Sequence, residues 1–219
     1  MLRIGHRGTL HEAPENTKAA FRKALRSGAD GVELDVRRSR DDILVVHHDP
    51  KIDLDNGRQL LVKDLSAAEL KSYGIDTLDE VIDAILVVGK PKLIDIEIKV
   101  NWVETQVLSK THDKNIEDVA IITSFRKEVL KNVRSIDSKI KTGLIKEVPS
   151  YSTLRDAEAV GASYIIFSWE AAKKQFIDMA HGRGFAVMVW AVNNEKDIRR
   201  MQGLGVDGIF TDFTKLLRP

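Results

Sequence analysis

What most constrains this chain is an alternation. Short apolar runs and longer stretches of helical periodicity take turns along nearly its whole length. Runs suited to strands lie at 2–6, 31–36, 93–98, 119–123, 141–145, 163–167, 186–190 and 208–210. Helical patterns lie between them, among others at 16–27, 78–88, 102–111, 127–135, 171–183 and 195–204. Such alternation predicts parallel strands, because parallel neighbours need a long return connection and a helix supplies it. About eight strand–helix units fit a (β/α)8 barrel, the TIM barrel of the α/β class. An open doubly wound sheet is the competing topology. No glycine-rich dinucleotide fingerprint follows any of the strands, which counts against it. Three segments mark the repeat: "SGADGVEL", "VGASYIIF" and "LGVDGIFT". Each places a glycine after a helical stretch, so Gly28, Gly161 and Gly205 are expected to end helices in the left-handed conformation.

One stretch breaks the rhythm. Between Val36 and Leu78 lie "HHDP", "DLDNG" and "DLSAAEL". They predict a short extra strand at 43–47, a loop, and a short helix opened by Ser66 with Glu69 three residues on, a capping box. The expectation is one barrel domain over residues 1–219 with a small insertion at 37–76, after the second strand.

Composition narrows the partners. Lys and Arg number 34 against 33 Asp and Glu, a net charge of +1, so there is no electrostatic footprint for nucleic acid or an anionic membrane. Cysteine is absent, so a metal would need oxygen or imidazole ligands. No apolar run approaches the roughly 18 residues of a membrane span, and no signal-peptide pattern opens the chain. A soluble cytoplasmic protein is expected.

The chemistry concentrates at strand ends. In Val32-Glu33-Leu34-Asp35-Val36 the side chains alternate, so Glu33 and Asp35 share one face and the three apolar residues the other. In a barrel the apolar face packs on the helices and the carboxylates point inward. The next barrel strand, 93–98, repeats the design with Asp95, Glu97 and Lys99. Glu33, Asp35 and Glu97 then converge near the C-terminal ends of neighbouring strands. Three such carboxylates make a site for a hard divalent cation, Mg²⁺ or Ca²⁺. The alternative is a buried ion-pair network with Arg7 and Lys99. His6 ends the first strand, and His47 and His48 end the strand of the insertion. Of the adjacent pair only one can face the pocket. His11, His112 and His181 show no such placement and are assigned to surface or packing. Two imidazoles beside a cation suit general acid–base catalysis, and Arg7 and Lys99 suit an anionic substrate, a phosphoryl group above all.

With these residues in view, the chain resembles the glycerophosphodiester phosphodiesterase family. The resemblance is carried by "HRG" at 6–8, "PENT" at 14–17, "GADGVELDV" at 28–36, "HD" at 48–49, "IEIK" at 96–99, "TSF" at 123–125, "VWAVN" at 189–193 and "GVDGIFTD" at 205–212. They come in the family's order and span nearly the whole chain. The resemblance implies a (β/α)8 barrel that hydrolyses glycerophosphodiesters to glycerol 3-phosphate and an alcohol, with a divalent cation. It implies His6 and His48 as the acid–base pair, with His48 preferred to His47 because aspartate follows it directly. It implies Glu33, Asp35 and Glu97 as metal ligands, Arg7 and Lys99 as phosphate-binding residues, and Trp190 as a pocket wall.

The chain departs from the family pattern at Ser39-Arg40-Asp41-Asp42, at Ile75-Asp76-Thr77-Leu78, which lacks the usual proline, and at Ala191. None of these touches the implied catalytic set. Glu15-Asn16-Thr17 has two readings, an N-terminal helix cap or a substrate contact. Two other functions stand beside the hydrolase: a phospholipase D-like enzyme acting on lipid head groups, and a non-catalytic barrel that binds a phosphate ligand. The absence of a membrane-binding helix counts against the first, and the His6–His48 pair against the second.

Overall fold

The computed structural model describes residues 1–55 and 57–217. Its strands are β1 (Leu2–Gly5), β2 (Gly31–Arg38), β3 (Leu44–Val46), β4 (Lys51–Asp53), β5 (Gln59–Leu61), β6 (Leu93–Ile98), β7 (Ala120–Ser124), β8 (Lys141–Lys146), β9 (Tyr164–Ser168), β10 (Ala186–Trp190) and β11 (Gly208–Thr211). The helices are α1 (Lys18–Arg26), α2 (Ala67–Ser72), α3 (Leu78–Leu86), α4 (Glu104–Asp113), α5 (Lys127–Ile136), α6 (Tyr151–Ala159), α7 (Lys174–His181) and α8 (Glu195–Leu204). Hydrogen bonding runs β1-β11-β10-β9-β8-β7-β6-β2, and β2 returns to β1 through Ile4↔Gly31 and Gly5↔Val32. All these pairings are parallel, so the sheet is a closed eight-stranded barrel. Closure excludes the open sheet.

Two apolar layers explain why the barrel forms. Outside it, Val32, Leu34 and Val36 pack with Phe21 of α1 and with Val81 and Ile85 of α3. Inside it, Ile4, Leu93, Ile121, Ile145, Ile166, Met188 and Phe210 make a separate cluster. Burying each such side chain contributes about 1.5–3 kcal/mol. The interior cluster leaves the carboxylates of β2 and β6, and His6 just past β1, to the mouth at the strands' C-terminal ends. Gly28, Gly161 and Gly205 have φ of 97°, 62° and 81°, the expected left-handed helix ends.

The insertion departs from its expected outline. Its first strand is shorter than 43–47 and pairs antiparallel with the end of β2, through Val36↔Val46. His47 and His48 therefore lie beyond the strand, and strand alternation does not decide between them. The stretch read as loop contains the hairpin β4–β5. The capping box of Ser66 and Glu69 opens α2 as expected. His6 likewise sits one residue past β1, in a turn. Among the described residues no helix is long and apolar enough to cross a membrane.

Candidate active site

The site begins with a turn that only glycines allow. Gly8 N donates to Gly5 O at 3.2 Å, folding His6 and Arg7 over the end of β1. A Cβ on Gly5 would lie 2.2 Å from Gly8 O, and one on Gly8, whose φ is +91°, would lie 2.7 Å from the Ala20 backbone. Any larger residue at either place clashes with main chain. Arg7 takes a left-handed φ of 50°, and its N–H donates to Glu33 Oε2 at 2.8 Å. The turn thus couples the histidine to the first carboxylate.

Register then brings the acids together. Glu33 lies level with Asp95 and Asp35 with Glu97 on the adjacent strand. One carboxylate oxygen from each of Glu33, Asp35 and Glu97 falls within 4.8 Å of the others. All three residues are buried. Lys99, just past β6, reaches Glu97 Oε1 at 2.7 Å and Asp35 Oδ1 at 3.1 Å, and Arg7 Nε lies 3.5 Å from Asp35 Oδ2. Both readings of the acids therefore find their residues: a cation site and an ion-pair network share the same carboxylates. Charge separates them. Lys99 and Arg7 together with an Asn16 bond outweigh burial and hold Asp35 below the usual carboxylate range. Glu33 goes the other way. Burial, then Asp35 and Glu97, push it well up, and its Oε1 is buried with no hydrogen-bond partner. Burial also raises Glu97 despite Lys99. Asp95, below them, is raised well above its ordinary range by burial and then Glu33, while Thr123 Oγ1 donates to it at 2.6 Å. The two fixed cations do not satisfy this cluster. A hard divalent cation on Glu33, Asp35 and Glu97 fits it, since every donor is an oxygen and one buried oxygen, Glu33 Oε1, has neither a hydrogen bond nor an ion pair among the described residues.

Both proposed histidines line one cleft with these groups. It is bounded by His6, Arg7, Glu33, His48, Glu97 and Lys99 on the polar side and by Phe125 and Trp190 on the other, around about 480 Å³ of space partly open to solvent. His6 Nδ1 lies 2.7 Å from Asp212 Oδ1. Asp212 is itself held by Asn193, whose Nδ2 donates to Oδ2 at 2.6 Å. Burial opposes its ionisation, but the bonds from His6 and Asn193 prevail and hold it below the usual range. An ionised Asp212 accepts from Nδ1–H, which leaves His6 Nε2 for chemistry. His48 Nδ1 lies 2.8 Å from Asp49 Oδ1. Burial lowers the His48 pKa, Lys99 and Arg7 lower it further, and the attraction of Asp35 does not restore it. His47 is not among the cleft residues; its Nε2 sits 3.3 Å from Lys51 O.

Trp190 packs edge-on against Phe125, ring centroids 6.5 Å apart, and its buried Nε1 has no hydrogen-bond partner among the described residues. Glu15-Asn16-Thr17 divides between roles. Thr17 caps α1, its side chain accepting from Ala20 N. Glu15 accepts two bonds from Arg7 NH1, at 3.2 and 3.1 Å. Asn16 clamps Asp35, donating from Nδ2 to Oδ2 at 2.8 Å and accepting from Asp35 N at 3.2 Å.

Asp212, Asn193 and Asn16 were not assigned from sequence. Asp212 has a signal there: in a closed barrel the last strand neighbours the first, and Gly5 pairs with Thr211. The residues that follow those two strands, His6 and Asp212, must then meet.

Comparison with known proteins identifies the family. Residues 6–216 match the model of the Glycerophosphoryl diester phosphodiesterase family. A glycerophosphodiester phosphodiesterase of Caldanaerobacter subterraneus subsp. tengcongensis is 34% identical over 233 residues, covering 96% of this chain and 93% of that protein. The solved glycerophosphodiester phosphodiesterase of Thermotoga maritima superposes with a TM-score of 0.85 at 27% identity, over 99% of this chain and 96% of that one. An Oleispira antarctica phosphodiesterase, solved in complex with the product sn-glycerol-3-phosphate, has the same fold, with a TM-score of 0.86 at 22% identity over 98% of this chain and 94% of that one. The chain therefore belongs to the glycerophosphoryl diester phosphodiesterase family, as one of its enzymes.

Proposed function

We propose that this enzyme hydrolyses glycerophosphodiesters to glycerol 3-phosphate and an alcohol, assisted by a divalent cation and by His6 and His48 as acid–base pair. One observation carries the reading. Two imidazoles, each backed by an aspartate, open into the same cleft as Glu33 and Glu97, two of the three clustered carboxylates, and two fixed cations. Glu33, Asp35 and Glu97 would hold the cation, Mg²⁺ or Ca²⁺. When bound, it would polarise a phosphate oxygen and favour ionisation of a hydroxyl beside it.

The protein's own groups do the rest. Arg7 and Lys99 hold the phosphate charge at the mouth, where guanidinium and ammonium donors suit phosphate oxygens. One imidazole takes the proton of the free glycerol hydroxyl as its oxygen bonds phosphorus. The other gives a proton to the departing alcohol oxygen as the second P–O bond breaks. The cyclic phosphate left behind is opened by water with the two roles exchanged. Asp212 and Asp49 each fix one ring nitrogen, so the other faces the reaction.

The direct test is choline release from glycerophosphocholine, with glycerol 3-phosphate as co-product, and from lysophosphatidylcholine, with lysophosphatidic acid as co-product, with and without chelator. Chelator-sensitive release from the first is expected. Chelator-insensitive release removes the cation from the reading. A clear preference for lysophosphatidylcholine favours the phospholipase D-like alternative, and no release from either favours the phosphate-binding barrel.

Trp190 contributes contact area and one donor. Trp190→Ala should raise KM more than it lowers kcat, as loss of uniform binding does. Trp190→Phe keeps an aromatic ring but loses part of the area and the indole N–H, so it should fall between. A large loss of kcat at unchanged KM would place Trp190 in the chemistry instead.

A further inference from the structure

We propose that Arg37 is a positioning residue for His48. The inference rests on His48 being one of the acid–base pair. His48 is not held by a strand: the β2–β3 ladder ends at Val36↔Val46, and the last main-chain bond to β2 is His47 N donating to Asp35 O at 3.0 Å. The imidazole then projects from a loop whose next residues are Asp49 and Pro50. Asp49 steadies the ring, yet it belongs to the same loop and moves with it.

Arg37 ties that loop to the barrel. It stands on β2, two residues after Asp35. Its guanidinium reaches out from the strand, and both Nε and NH2 donate to the carbonyl oxygen of His48, at 2.8 and 2.6 Å. Two donors from one rigid plane on one oxygen fix position and direction together. Hydrogen bonds from a charged donor are about twice as strong as neutral ones. Asp35, Asp49 and Glu97 attract this guanidinium, while Arg126 repels it. Arg37 thus transmits the position of the strand that carries Glu33 and Asp35 to the main chain of His48. It touches neither the reacting atoms nor the carboxylate cluster by any hydrogen bond among the described residues.

The test is a double-mutant cycle. Arg37→Ala should lower kcat by about 10- to 100-fold, the cost of misplacing a reacting group by an ångström. KM and cation affinity by calorimetry should stay near those of the parent. On a His48→Ala background the same substitution should cost almost nothing, because there is no imidazole left to position. Arg37→Gln, which keeps neutral donors and the side-chain bulk, should lie between and covers the case in which Arg37→Ala folds poorly. Equal losses on both backgrounds, or cation affinity falling in step with activity, would overturn the proposal and make Arg37 a general structural residue. A His48→Ala enzyme that keeps its activity would instead remove His48 from the acid–base pair, and the inference with it.

Discussion

Glu33→Gln, Asp35→Asn and Glu97→Gln should each remove cation-dependent hydrolysis while the barrel stays folded. A cation site supplies several kcal/mol of charge stabilisation, so the loss in activity should be on the order of 10³-fold. Two of the variants separate in stability. Glu33→Gln neutralises a carboxyl that burial and two like charges already disfavour as an anion, and the amide oxygen can still accept from Arg7 N. Its cation-free melting temperature should match or exceed that of the parent. Asp35→Asn strips the ionised partner of both Lys99 and Arg7 and should melt lower. Calorimetric titration with Mg²⁺ and Ca²⁺ decides the rest. Unchanged affinity in all three variants would leave these residues as an ion-pair network alone.

The same carboxyls set a pH dependence. Glu33 and Glu97 are raised, so at these two groups the folded cation-free protein binds more protons than the unfolded chain. Their contribution to stability is full in acid and is lost as pH rises from the ordinary carboxylate range through the raised values. A bound cation favours the ionised forms and releases those protons. The gain in melting temperature from added cation should therefore be larger at neutral than at acid pH. An equal gain at both would contradict the assignment of these carboxyls as ligands.

How much of this was legible in the sequence depended on range. Alternation within one strand is a local rule, and it separated Glu33 and Asp35 from Val32, Leu34 and Val36 as the barrel does. Parallel register between β2 and β6 then placed Glu97 beside Asp35, as expected for neighbouring strands of one design. The choice of His48 over His47 agrees with the cleft, but not because of alternation. His48 faces the site from a loop past the shortened β3. Side-chain clamps across the fold left no periodic trace. His6 and Asp212 stand 206 residues apart in the chain, and only closure of the barrel joins them. From sequence, Asn16 could be read as part of a helix cap or as a substrate contact. Its left-handed φ of 57° instead turns the amide onto Asp35, which no propensity scale encodes. The hairpin β4–β5 was missed because strands of three residues are too short to show a period.

His48→Ala should lose on the order of 10²- to 10⁴-fold with alkyl diesters, the usual contribution of a general acid or base. His47→Ala should lose little, since its ring turns toward Lys51 O and lies outside the cleft. The leaving group then separates His6 from His48. Burial lowers the His48 pKa and so favours its neutral form, the form that accepts a proton, which suits the base. His6 has its Nδ1 held by the Asp212 carboxylate, which orients the ring to hand on a proton from Nε2 and suits the acid. A nitrophenyl ester of glycerol phosphate departs without needing protonation. His6→Ala should therefore recover much of its lost rate with that ester, and His48→Ala should not. Rescue of His48→Ala alone would exchange the two roles and leave the site standing. Rescue of neither would mean that both imidazoles act before the leaving group departs. A severe loss at His47, with His48→Ala near the parent, would mean that the loop beyond β3 presents the other imidazole when substrate is bound.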